Sequence, residues 1–332
     1  MRQAWLTLMV VVVLTAVWEI ALPWARPSYE IAWIQAIYAR KETAAARITE
    51  PKVVLIGGSA THFGFSAEQI GHEISAQVVN LGTHAGLGAD YILARAKRSL
   101  KRGDTAVLVL EYHLLKDSAP TDIASSFVSM FDPRYAAEAK AAEVPRFVWG
   151  ISPQRLLSAT VQRTIPYTSP LYRVETVTEL GDETAGSNEE ITPAMRAAAR
   201  SYPPIPALNL RSDWSLPSIS SFVQWAHADG VTVKYVWPPM VGRSAYATDP
   251  RYSELFSAIR GTFEGLAVPV LGQPADFFLG EDELLDTFYH ANQRGRLRMS
   301  NQLARVLDPR ADDGELRIGS GAVAPSTRTV SP

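Results

Sequence analysis

Apolar and polar residues alternate between two kinds of segment from position 51 to position 115. Continuous runs of Val, Leu and Ile are typical of strands buried on both faces of a parallel sheet, and the stretches between them have helical spacing. Strands are predicted at KVVLIGG, AQVVNLG and DTAVLVLEYHLL, and helices at SAEQIGHEI and GADYILARAKRSLKRG. This β-α-β-α-β order with short connections predicts an α/β fold, a flavodoxin-like parallel sheet in a three-layer α/β/α arrangement.

The regular pattern stops at about residue 118 and returns after residue 215. Scattered prolines, aromatic residues and the polar stretch ELGDETAGSNEEITP predict that 118–215 is an insertion or cap region. The sheet order then resumes with a helix at SISSFVQWAHADG, a strand at VTVKYVWPPM, a helix over 249–263, a strand at LAVPVLG and a last helix at ANQRGRLRMSNQLARVL. The main domain is thus predicted to cover 51–308, and the tail 309–332 has little apolar content and is expected to be disordered.

The N-terminal segment is more apolar than the rest of the chain. AWLTLMVVVVLTAVW carries no charge, and with Glu19 tolerated about 22 residues can form a helix, roughly the length that crosses a ~30 Å hydrocarbon core. We therefore expect residues 1–27 to be a transmembrane helix that anchors the chain by a single pass. A cleaved signal peptide is the alternative, but no clear small-x-small cleavage site precedes Arg26.

Residues 28–50 are predicted to connect this anchor to the domain. Their apolar residues Ile31, Ile34, Ile37 and Tyr38 recur at helical spacing, which indicates an amphipathic helix. The positive-inside rule does not orient the anchor, because basic residues lie on both sides of it. We place the domain outside the cytoplasm, because short N-terminal anchors commonly export the domain that is attached to them.

Composition narrows the classes of function. With 332 residues and 47% apolar composition, the chain can form one large domain or two small ones. Its net charge of −2 gives no electrostatic case for nucleic-acid binding. The sequence has no cysteine, which excludes disulfides and thiol nucleophiles, and no histidine or carboxylate group has convincing ligand spacing. Neither a metal nor a cofactor is predicted.

The stretch VVLIGGSATHFGF places Ser59 directly after the first predicted strand. Ligands bind at the carboxyl ends of strands in parallel α/β sheets, so Ser59 is a candidate nucleophile. The stretch does not match a phosphate loop or the dinucleotide fingerprint G-x-G-x-x-G, which argues against a nucleotide-binding Rossmann domain. It also lacks the lipase elbow G-x-S-x-G, because Thr61 occupies the last glycine position. A structural alternative is that Ser59 caps the next helix.

A serine nucleophile needs a base, and the base needs an orienting group. Among the six histidines, His290 has the most suggestive surroundings, because Asp286 lies four residues before it and just ahead of the last predicted helix. A carboxylate in this position can fix the imidazole tautomer and stabilise the imidazolium. A serine after the first strand together with Asp and His before the last helix favours a Ser-His-Asp site.

Three segments in this order resemble the SGNH, or GDSL-like, hydrolase superfamily. VVLIGGSATHFGF resembles the first sequence block of that superfamily, VVNLGTHAGLG the second, and LLDTFYHANQRG the last. More closely, the chain resembles membrane-anchored SGNH-like proteins of bacterial envelope and exopolysaccharide loci. This resemblance implies an anchor in the bacterial inner membrane and a main domain in the periplasm. The matching positions in the third and last blocks are Gly103, Asp104, Glu111, Tyr112, Asp286, Thr287, Tyr289, His290, Asn292, Gly295 and Arg296 or Arg298.

The resemblance implies roles for individual residues. Ser59 would be the nucleophile, His290 the general base and acid, and Asp286 its orienting carboxylate. The oxyanion hole would use the backbone N–H of Ser59 or Ala60 and one glycine that comes after Asn80 in the second block. The register leaves both glycines open, namely Gly82 and Gly86.

The chain departs from the superfamily at two points. The third block usually offers an Asn side chain to the oxyanion, but LEYHLL has none, and ionised Glu111 cannot donate a hydrogen bond. We expect Glu111 to bind a backbone N–H, an arginine or a sugar hydroxyl, and His84 or His113 are alternative donors. The acid-base spacing is Asp-x-x-x-His rather than Asp-x-x-His, so Asp282 is a second candidate beside Asp286.

The resemblance implies two alternative functions. The first is acyl transfer or ester hydrolysis on O-acyl groups, with O-acetyl as the expected group, of a cell-envelope or exported polysaccharide. An integral-membrane O-acyltransferase would be the partner that supplies the acyl group. The second is a catalytically degenerate SGNH fold that binds polysaccharide or scaffolds an export complex.

Overall fold

A parallel sheet forms the centre of the molecule. A computed structural model describes residues 2–21, 27–116, 119–164, 169, 171–187, 189–206 and 216–308. The strands are β1 (Lys52–Ile56), β2 (Gln77–Asn80), β3 (Thr105–Leu108), β4 (Thr232–Val236), β5 (Met240–Val241), β6 (Val270–Leu271) and β7 (Phe278–Leu279). In the described part of the chain, the main sheet has the order β2-β1-β3-β4-β6 with every pairing parallel, and β5 pairs with β7 separately. The predicted parallel sheet is confirmed.

The described residues also form α-helices, several of which pack on the sheet. They are α1 (Arg2–Ala21), α2 (Tyr29–Arg47), α3 (Ser59–Gly64), α4 (Ala67–Ile74), α5 (Ala89–Ala96), α6 (Asp122–Phe131), α7 (Pro133–Glu138), α8 (Val144–Trp149), α9 (Pro153–Thr164), α10 (Pro193–Ser201), α11 (Leu216–Asp229), α12 (Ala245–Thr248), α13 (Pro250–Gly265) and α14 (Gln293–Leu307). Helix α4 packs against α14, and α5 packs against α11. Right-handed crossovers in the observed strand order put these two pairs on opposite faces of the sheet.

The predicted strand VTVKYVWPPM is divided in the structure. β4 ends at Val236, and the chain forms β5 only after Pro238 and Pro239. A proline has no N–H to donate to a sheet, so two in succession end the pairing and redirect the chain. The residues after the break pair with β7 instead of continuing the main sheet.

Helix α2, which coincides with the expected connector, is part of the core. Its residues Ile31, Trp33, Ile34 and Ile37 are buried in the main hydrophobic cluster. The apolar stripe of α2 therefore packs against the sheet domain, and α2 is part of this domain and not a separate linker.

The N-terminal segment forms α1, whose apolar side chains are largely exposed. Trp18 stacks on Trp149 with ring centroids 6.2 Å apart and donates its indole N–H to the carbonyl of Val148 at 2.7 Å. Within the residues described, no helix combines the length and the apolarity needed to cross a membrane. Residues 22–26 of the expected transmembrane helix lie outside the described residues.

The predicted insertion contains α6 to α10, and part of it reaches the sheet domain. Asp182 accepts hydrogen bonds from the N–H groups of Ala67 at 2.5 Å and Glu68 at 3.0 Å. These N–H groups belong to the first turn of α4, so a carboxylate from the insertion stabilises the start of that helix. The expected disordered tail, 309–332, lies outside the described residues.

Candidate active site

The turn after β1 places Ser59 at the start of a short helix. Gly58 is the N-cap of α3 and no side chain caps this helix, so Ser59 is its first residue and not its cap. The capping serine is Ser66, whose Oγ accepts a hydrogen bond from the N–H of Gln69 at 3.2 Å and begins α4. Ser59 is half-buried at the carboxyl end of an interior strand, where ligands bind in parallel α/β sheets.

The two glycines before Ser59 are required by close backbone approach. A Cβ at Gly57 would overlap the carbonyl of Val109 and the hydroxyl of Thr61, and one at Gly58 would lie 2.5 Å from Glu111 Oε1. Backbone and buried carboxylate cannot move away from such contacts. The turn into α3 therefore depends on having no side chain at either position.

Glu111 holds the turn in place. Its fully buried carboxylate accepts the N–H of Gly58 at Oε2, at 3.0 Å, and the N–H of Ala60 at Oε1, at 2.8 Å. These N–H groups flank Ser59, so one side chain at the end of β3 fixes the backbone on both sides of the candidate nucleophile. The sequence left a backbone N–H, an arginine or a sugar hydroxyl as possible partners of Glu111. In the structure the partners are backbone N–H groups.

Asn80 and Gly82 bind each other and α3. The N–H of Gly82 donates to Asn80 Oδ1 at 2.9 Å, and Asn80 Nδ2 donates to the carbonyls of Thr61 and Phe65, both at 3.0 Å. Asn80 is fully buried. Its side chain therefore positions the helix of Ser59 against β2.

Both ring nitrogens of His84 also lie close to polar partners. Its Nδ1 accepts the N–H of Gly86 at 3.0 Å, and its Nε2 lies 3.3 Å from Glu30 Oε1. Since Nδ1 accepts, neutral His84 carries its proton on Nε2, directed at Glu30. His113 is exposed, with its ring 5.8 Å from that of Tyr289.

These contacts engage three of the four N–H groups that are expected to form the oxyanion hole. The N–H groups of Ala60, Gly82 and Gly86 already donate to protein side chains. An N–H group that is engaged in this way cannot stabilise an oxyanion without first losing its partner. Among the hydrogen bonds of the described residues, the N–H of Ser59 is the one candidate donor of the four that has no acceptor.

Asp286 and His290 form a close pair. Asp286 Oδ1 lies 2.7 Å from His290 Nδ1, and Asp286 Oδ2 accepts the hydroxyl of Tyr172 at 2.5 Å. Asp282 is on the surface instead, paired with Arg294 at 2.7 Å. The structure thus selects Asp286 over Asp282 as the partner of His290.

The surroundings of Asp286 favour its ionised form. Burial would raise its pKa, but the charge of His290 and the hydrogen bonds from His290 and Tyr172 outweigh this effect and lower the pKa. A carboxylate at Nδ1 keeps a proton on that nitrogen and leaves Nε2 of His290 free to accept one. This is the electronic arrangement that a general base requires.

The Asp286–His290 pair packs against α3. The ring of His290 stacks on Phe63 with centroids 4.4 Å apart and an interplanar angle of 29°. Phe63 comes four residues after Ser59, and residues at this spacing share a helix face. In the described residues no hydrogen bond joins Ser59 Oγ to His290, so the structure brings the pair to the helix of Ser59 without a direct bond.

A buried chain of three ionisable residues was not predicted from the sequence. Lys41 Nζ lies 3.0 Å from His62 Nδ1, and His62 Nε2 lies 3.2 Å from Glu183 Oε2 without the alignment of a hydrogen bond. Burial lowers the pKa of Lys41 to about 7, and burial together with the charge of Lys41 lowers the pKa of His62 to about 4. One signal was available: Lys41 continues the apolar stripe of α2, three and four residues after Tyr38 and Ile37.

Several residues of the resembling motifs support the fold. Asp104 accepts the ammonium group of Lys52 at 2.6 Å, which ties β3 to β1. Asn292 Oδ1 accepts the N–H of Gly295 at 3.0 Å and caps α14. Across the described ranges, no group of three or more His, Asp or Glu side chains is arranged to hold a metal ion.

Comparisons with known proteins give only distant similarities. No protein-family model and no curated protein matches the sequence. The fold is similar to a protein of Desulfitobacterium hafniense assigned to a G-D-S-L lipolytic family, with 12% identity, a TM-score of 0.37 and coverage of 77% of this chain and 99% of that one.

Two further solved structures are similar at the same level. One, from Streptococcus pneumonia, is described as a platelet activating factor and has 12% identity, a TM-score of 0.39 and coverage of 82% of this chain and 93% of that one. The other is YxiM of Bacillus subtilis, with 10% identity, a TM-score of 0.36 and coverage of 79% and 57%. Similarities this low carry no functional assignment, which therefore depends on the site residues themselves.

Proposed function

We propose that the protein is a serine acyltransferase or esterase of SGNH type in which Ser59, His290 and Asp286 form the catalytic triad. The observation that carries the proposal is the Asp286–His290 pair, joined at 2.7 Å and stacked through His290 on the helix that begins with Ser59. The glycine turn and Glu111 add support, because they hold Ser59 at the carboxyl end of β1.

The proposed reaction proceeds through an acyl-enzyme. His290 Nε2 accepts the hydroxyl proton of Ser59 as Oγ attacks the acyl carbon, and Asp286 stabilises the imidazolium. The tetrahedral intermediate then expels the alcohol, which takes the proton from His290. In the second half, His290 accepts a proton from a sugar hydroxyl or from water as its oxygen attacks the acyl carbon. The tetrahedral intermediate then expels Ser59 Oγ, which takes this proton back from His290. A sugar acceptor makes the protein a transferase, and water makes it an esterase.

We place the reaction on O-acyl groups, O-acetyl in the simplest case, of an envelope or exported polysaccharide, in the periplasm at the membrane surface. An integral-membrane O-acyltransferase is the proposed acyl donor. The exposed apolar residues of α1 support attachment to a membrane through the N-terminal segment. Further support comes from exposed apolar side chains outside α1: Trp149 at 46%, Leu157 at 65% and Val161 at 48%.

Turnover of a simple ester tests the catalytic proposal. We expect the wild type to hydrolyse p-nitrophenyl acetate, and Ser59→Ala or His290→Ala to lower kcat by at least about 10³-fold. Ser257→Ala is the matched control, because Ser257 is exposed on α13, and it should leave kcat unchanged. Equal turnover by wild type and Ser59→Ala would refute the assignment of the nucleophile.

The alternative function is that of a non-catalytic polysaccharide-binding or scaffolding protein. It is favoured by the engaged N–H groups of Ala60, Gly82 and Gly86. The carboxylate of Glu111 beside Ser59 also favours it, since a negative charge opposes a developing oxyanion. Wild-type protein that turns over no ester but binds polysaccharide would support this function over catalysis.

A further inference from the structure

Two tyrosines of the insertion bind Asp286. The hydroxyl of Tyr172 donates to Asp286 Oδ2 at 2.5 Å, and the hydroxyl of Tyr202 donates to the backbone carbonyl of Asp286, also at 2.5 Å. Both tyrosines lie in the segment between β3 and β4, far in sequence from the loop that carries Asp286 and His290. The insertion therefore holds the proposed orienting carboxylate by its side chain and by its main chain.

The bond from Tyr172 gives the second oxygen of the carboxylate a partner. Asp286 Oδ1 lies 2.7 Å from His290 Nδ1, and Oδ2 accepts the hydroxyl of Tyr172. With one partner on each oxygen, the carboxylate cannot rotate without losing a charge-assisted hydrogen bond, which is stronger than a bond between neutral groups. Tyr172 thus keeps Oδ1 directed at the imidazole.

Tyr172 is itself held by several contacts. Its N–H donates to Ser169 Oγ at 3.1 Å, and its carbonyl accepts the hydroxyl of Tyr29, at the start of α2, at 2.7 Å. Its ring packs edge-on against Trp33 of α2, with centroids 5.3 Å apart, and against Phe63 of α3, at 5.7 Å. A side chain that is locked by packing and hydrogen bonds presents its hydroxyl in one place.

Tyr202 restrains the main chain of the same loop. The loop closes through the N–H of Leu285, which donates to the carbonyl of His290 at 2.8 Å. Asp286 is the first residue inside this closure, and its carbonyl is the acceptor of the Tyr202 hydroxyl. The carbonyl of Tyr202 in turn accepts Nε of Arg243, just after β5, at 2.8 Å. Tyr202 therefore links the loop to the end of β5.

Both tyrosines keep their protons and act as donors. Burial and then the charge of Asp286 raise the pKa of Tyr172, and the same two effects raise the pKa of Tyr202. Against the effect of burial, the charge and hydrogen bond of His290 and the hydrogen bond from Tyr172 lower the pKa of Asp286. The phenol thus supports the ionised carboxylate that His290 requires.

We infer that Tyr172 and Tyr202 are positioning residues of the triad, which hold the carboxylate and the main chain of Asp286 so that Oδ1 meets Nδ1 of His290. This assignment rests on the proposed function and makes the insertion part of the catalytic machinery. Without these hydroxyls Asp286 can move away from Nδ1, and the imidazole then also adopts the Nε2–H tautomer. That tautomer cannot accept the proton of Ser59 at Nε2.

Ester turnover tests one consequence. Tyr172→Phe and Tyr202→Phe remove the hydroxyls and keep the rings. For p-nitrophenyl acetate, kcat should fall about 10-fold in Tyr172→Phe and about 3-fold in Tyr202→Phe, because a bond to a neutral carbonyl is weaker than one to a carboxylate. KM should stay within about 2-fold, since both residues act through Asp286 and not on the substrate.

Tyr91→Phe is the matched control. The hydroxyl of Tyr91 on α5 also donates to a buried carboxylate, that of Asp132, at 2.8 Å. The exchange therefore removes the same kind of hydrogen bond at another place, and it should leave kcat unchanged. If Tyr172→Phe does not fold, as judged by urea unfolding, the comparison of Tyr202→Phe with Tyr91→Phe decides.

Magnetic resonance of isotopically labelled histidine nitrogens tests the positioning without catalysis. At about pH 9, where imidazoles are neutral, His290 of the full chain should be the Nδ1–H tautomer, in the wild type and in Ser59→Ala. Its signals are identified by their absence from His290→Ala. Tyr172→Phe and Tyr202→Phe should show a detectable share of the Nε2–H tautomer at His290, and Tyr91→Phe should show none.

The tautomer also separates this assignment from the proposed function. If the wild type turns over no ester but the two tyrosine variants change the tautomer, the proposed acyl transfer fails and the positioning of His290 stands. A His290 tautomer that is the same in the wild type, Tyr172→Phe and Tyr202→Phe would overturn the assignment. So would an active wild type in which both exchanges leave kcat at the value of Tyr91→Phe.

Discussion

At the scale of single residues, Glu111 lies at the candidate site but takes no part in the proposed acyl transfer. Its place in the sequence is where the resembling superfamily offers an amide donor, and the structure shows both carboxylate oxygens accepting backbone N–H groups. These two charge-assisted hydrogen bonds offset much of the free-energy cost of burying the carboxylate. Glu111 is therefore a positioning residue for the turn of Ser59.

Exchange of Glu111 for Gln should destabilise the protein. The amide has one acceptor oxygen, so one of the N–H groups of Gly58 and Ala60 would face an NH₂ group and lose its partner. We expect the free energy of unfolding in urea to fall by about 1–3 kcal/mol. Glu254→Gln, at an exposed position of α13, should leave it unchanged. Equal stability of the two variants would show that the two hydrogen bonds are not needed.

The role of Asp286 can be tested by a corresponding exchange of the carboxylate for an amide. Asp286→Asn preserves size but favours the wrong tautomer of His290, so kcat for ester hydrolysis should fall by about 10⁴-fold, as in other Ser-His-Asp triads, with little change in KM. Asp282→Asn is the control, because Asp282 is exposed and pairs with Arg294. If the two exchanges had the same effect on kcat, Asp286 would not be the orienting carboxylate.

At the scale of elements, the apolar pattern was sufficient for the long segments. The buried runs at β1, β2, β3 and β4 and the helices α4, α5, α11, α13 and α14 all form where the spacing predicts them. Their physical basis is local, since a strand buried on both faces needs an unbroken apolar run and an amphipathic helix needs a stripe. The predicted strand DTAVLVLEYHLL is shorter than expected, because Tyr112–Leu115 form a 3-10 turn, and Pro238 and Pro239 stop β4.

The short helix α3 could not be predicted from local pattern. Its six residues are too few for helical spacing to be recognised. Contacts from distant parts of the chain hold it, among them Glu111 at its start and Asn80 along its length. The environment of Ser59 therefore depends on tertiary contacts that sequence spacing does not contain.

The buried chain of Lys41, His62 and Glu183 joins three elements and should make stability depend on pH. The folded-state pKa of Lys41, about 7, is below its unfolded value of about 10.4, so the unfolded state binds more protons between these values. Unfolding free energy should thus rise with pH from about 7.5 to 9.5, with a slope of up to about 1.4 kcal/mol per pH unit.

Urea unfolding at several pH values checks this dependence. Lys41→Met should flatten the slope, because no ammonium is left to protonate on unfolding. Lys140→Met is the control, since Lys140 is half exposed on the surface beside Asp90, and it should keep the wild-type slope. A wild-type slope in Lys41→Met would mean that another group causes the dependence.

At the scale of the whole molecule, the sequence predicted the layered fold and the separate origins of the site residues, but not how they meet. The strand order is consistent with right-handed connections, of which the one from β3 to β4 carries the insertion. At His62, α3 meets α2 through Lys41, 21 residues away, and the insertion through Glu183, more than 100 residues away, and no local pattern encodes these contacts. The acceptors of the Gly82 and Gly86 N–H groups are close in sequence, at Asn80 and His84, but the loop conformation that joins them cannot be read from spacing.

The proposed membrane attachment is tested at the scale of the whole molecule. We expect the full chain to sediment with membranes, and the double exchange Val11→Arg with Val13→Arg to move it to the soluble fraction. Each arginine in an apolar segment costs about 2.5–3.5 kcal/mol in a bilayer. Leu297→Arg, which also replaces an exposed apolar residue but on α14, should leave the distribution unchanged. Sedimentation of the double variant with membranes would contradict attachment through α1.

The central claim is that Ser59 reacts as a nucleophile, and a serine-reactive fluorophosphonate tests it most directly. Intact-mass spectrometry of the wild-type protein should show one adduct, mapped to Ser59 by peptide analysis. Ser59→Ala should show none, and His290→Ala should label at least about 10²-fold more slowly, because the base is missing. Wild-type protein that remains unlabelled, or an adduct that persists in Ser59→Ala, would contradict the claim.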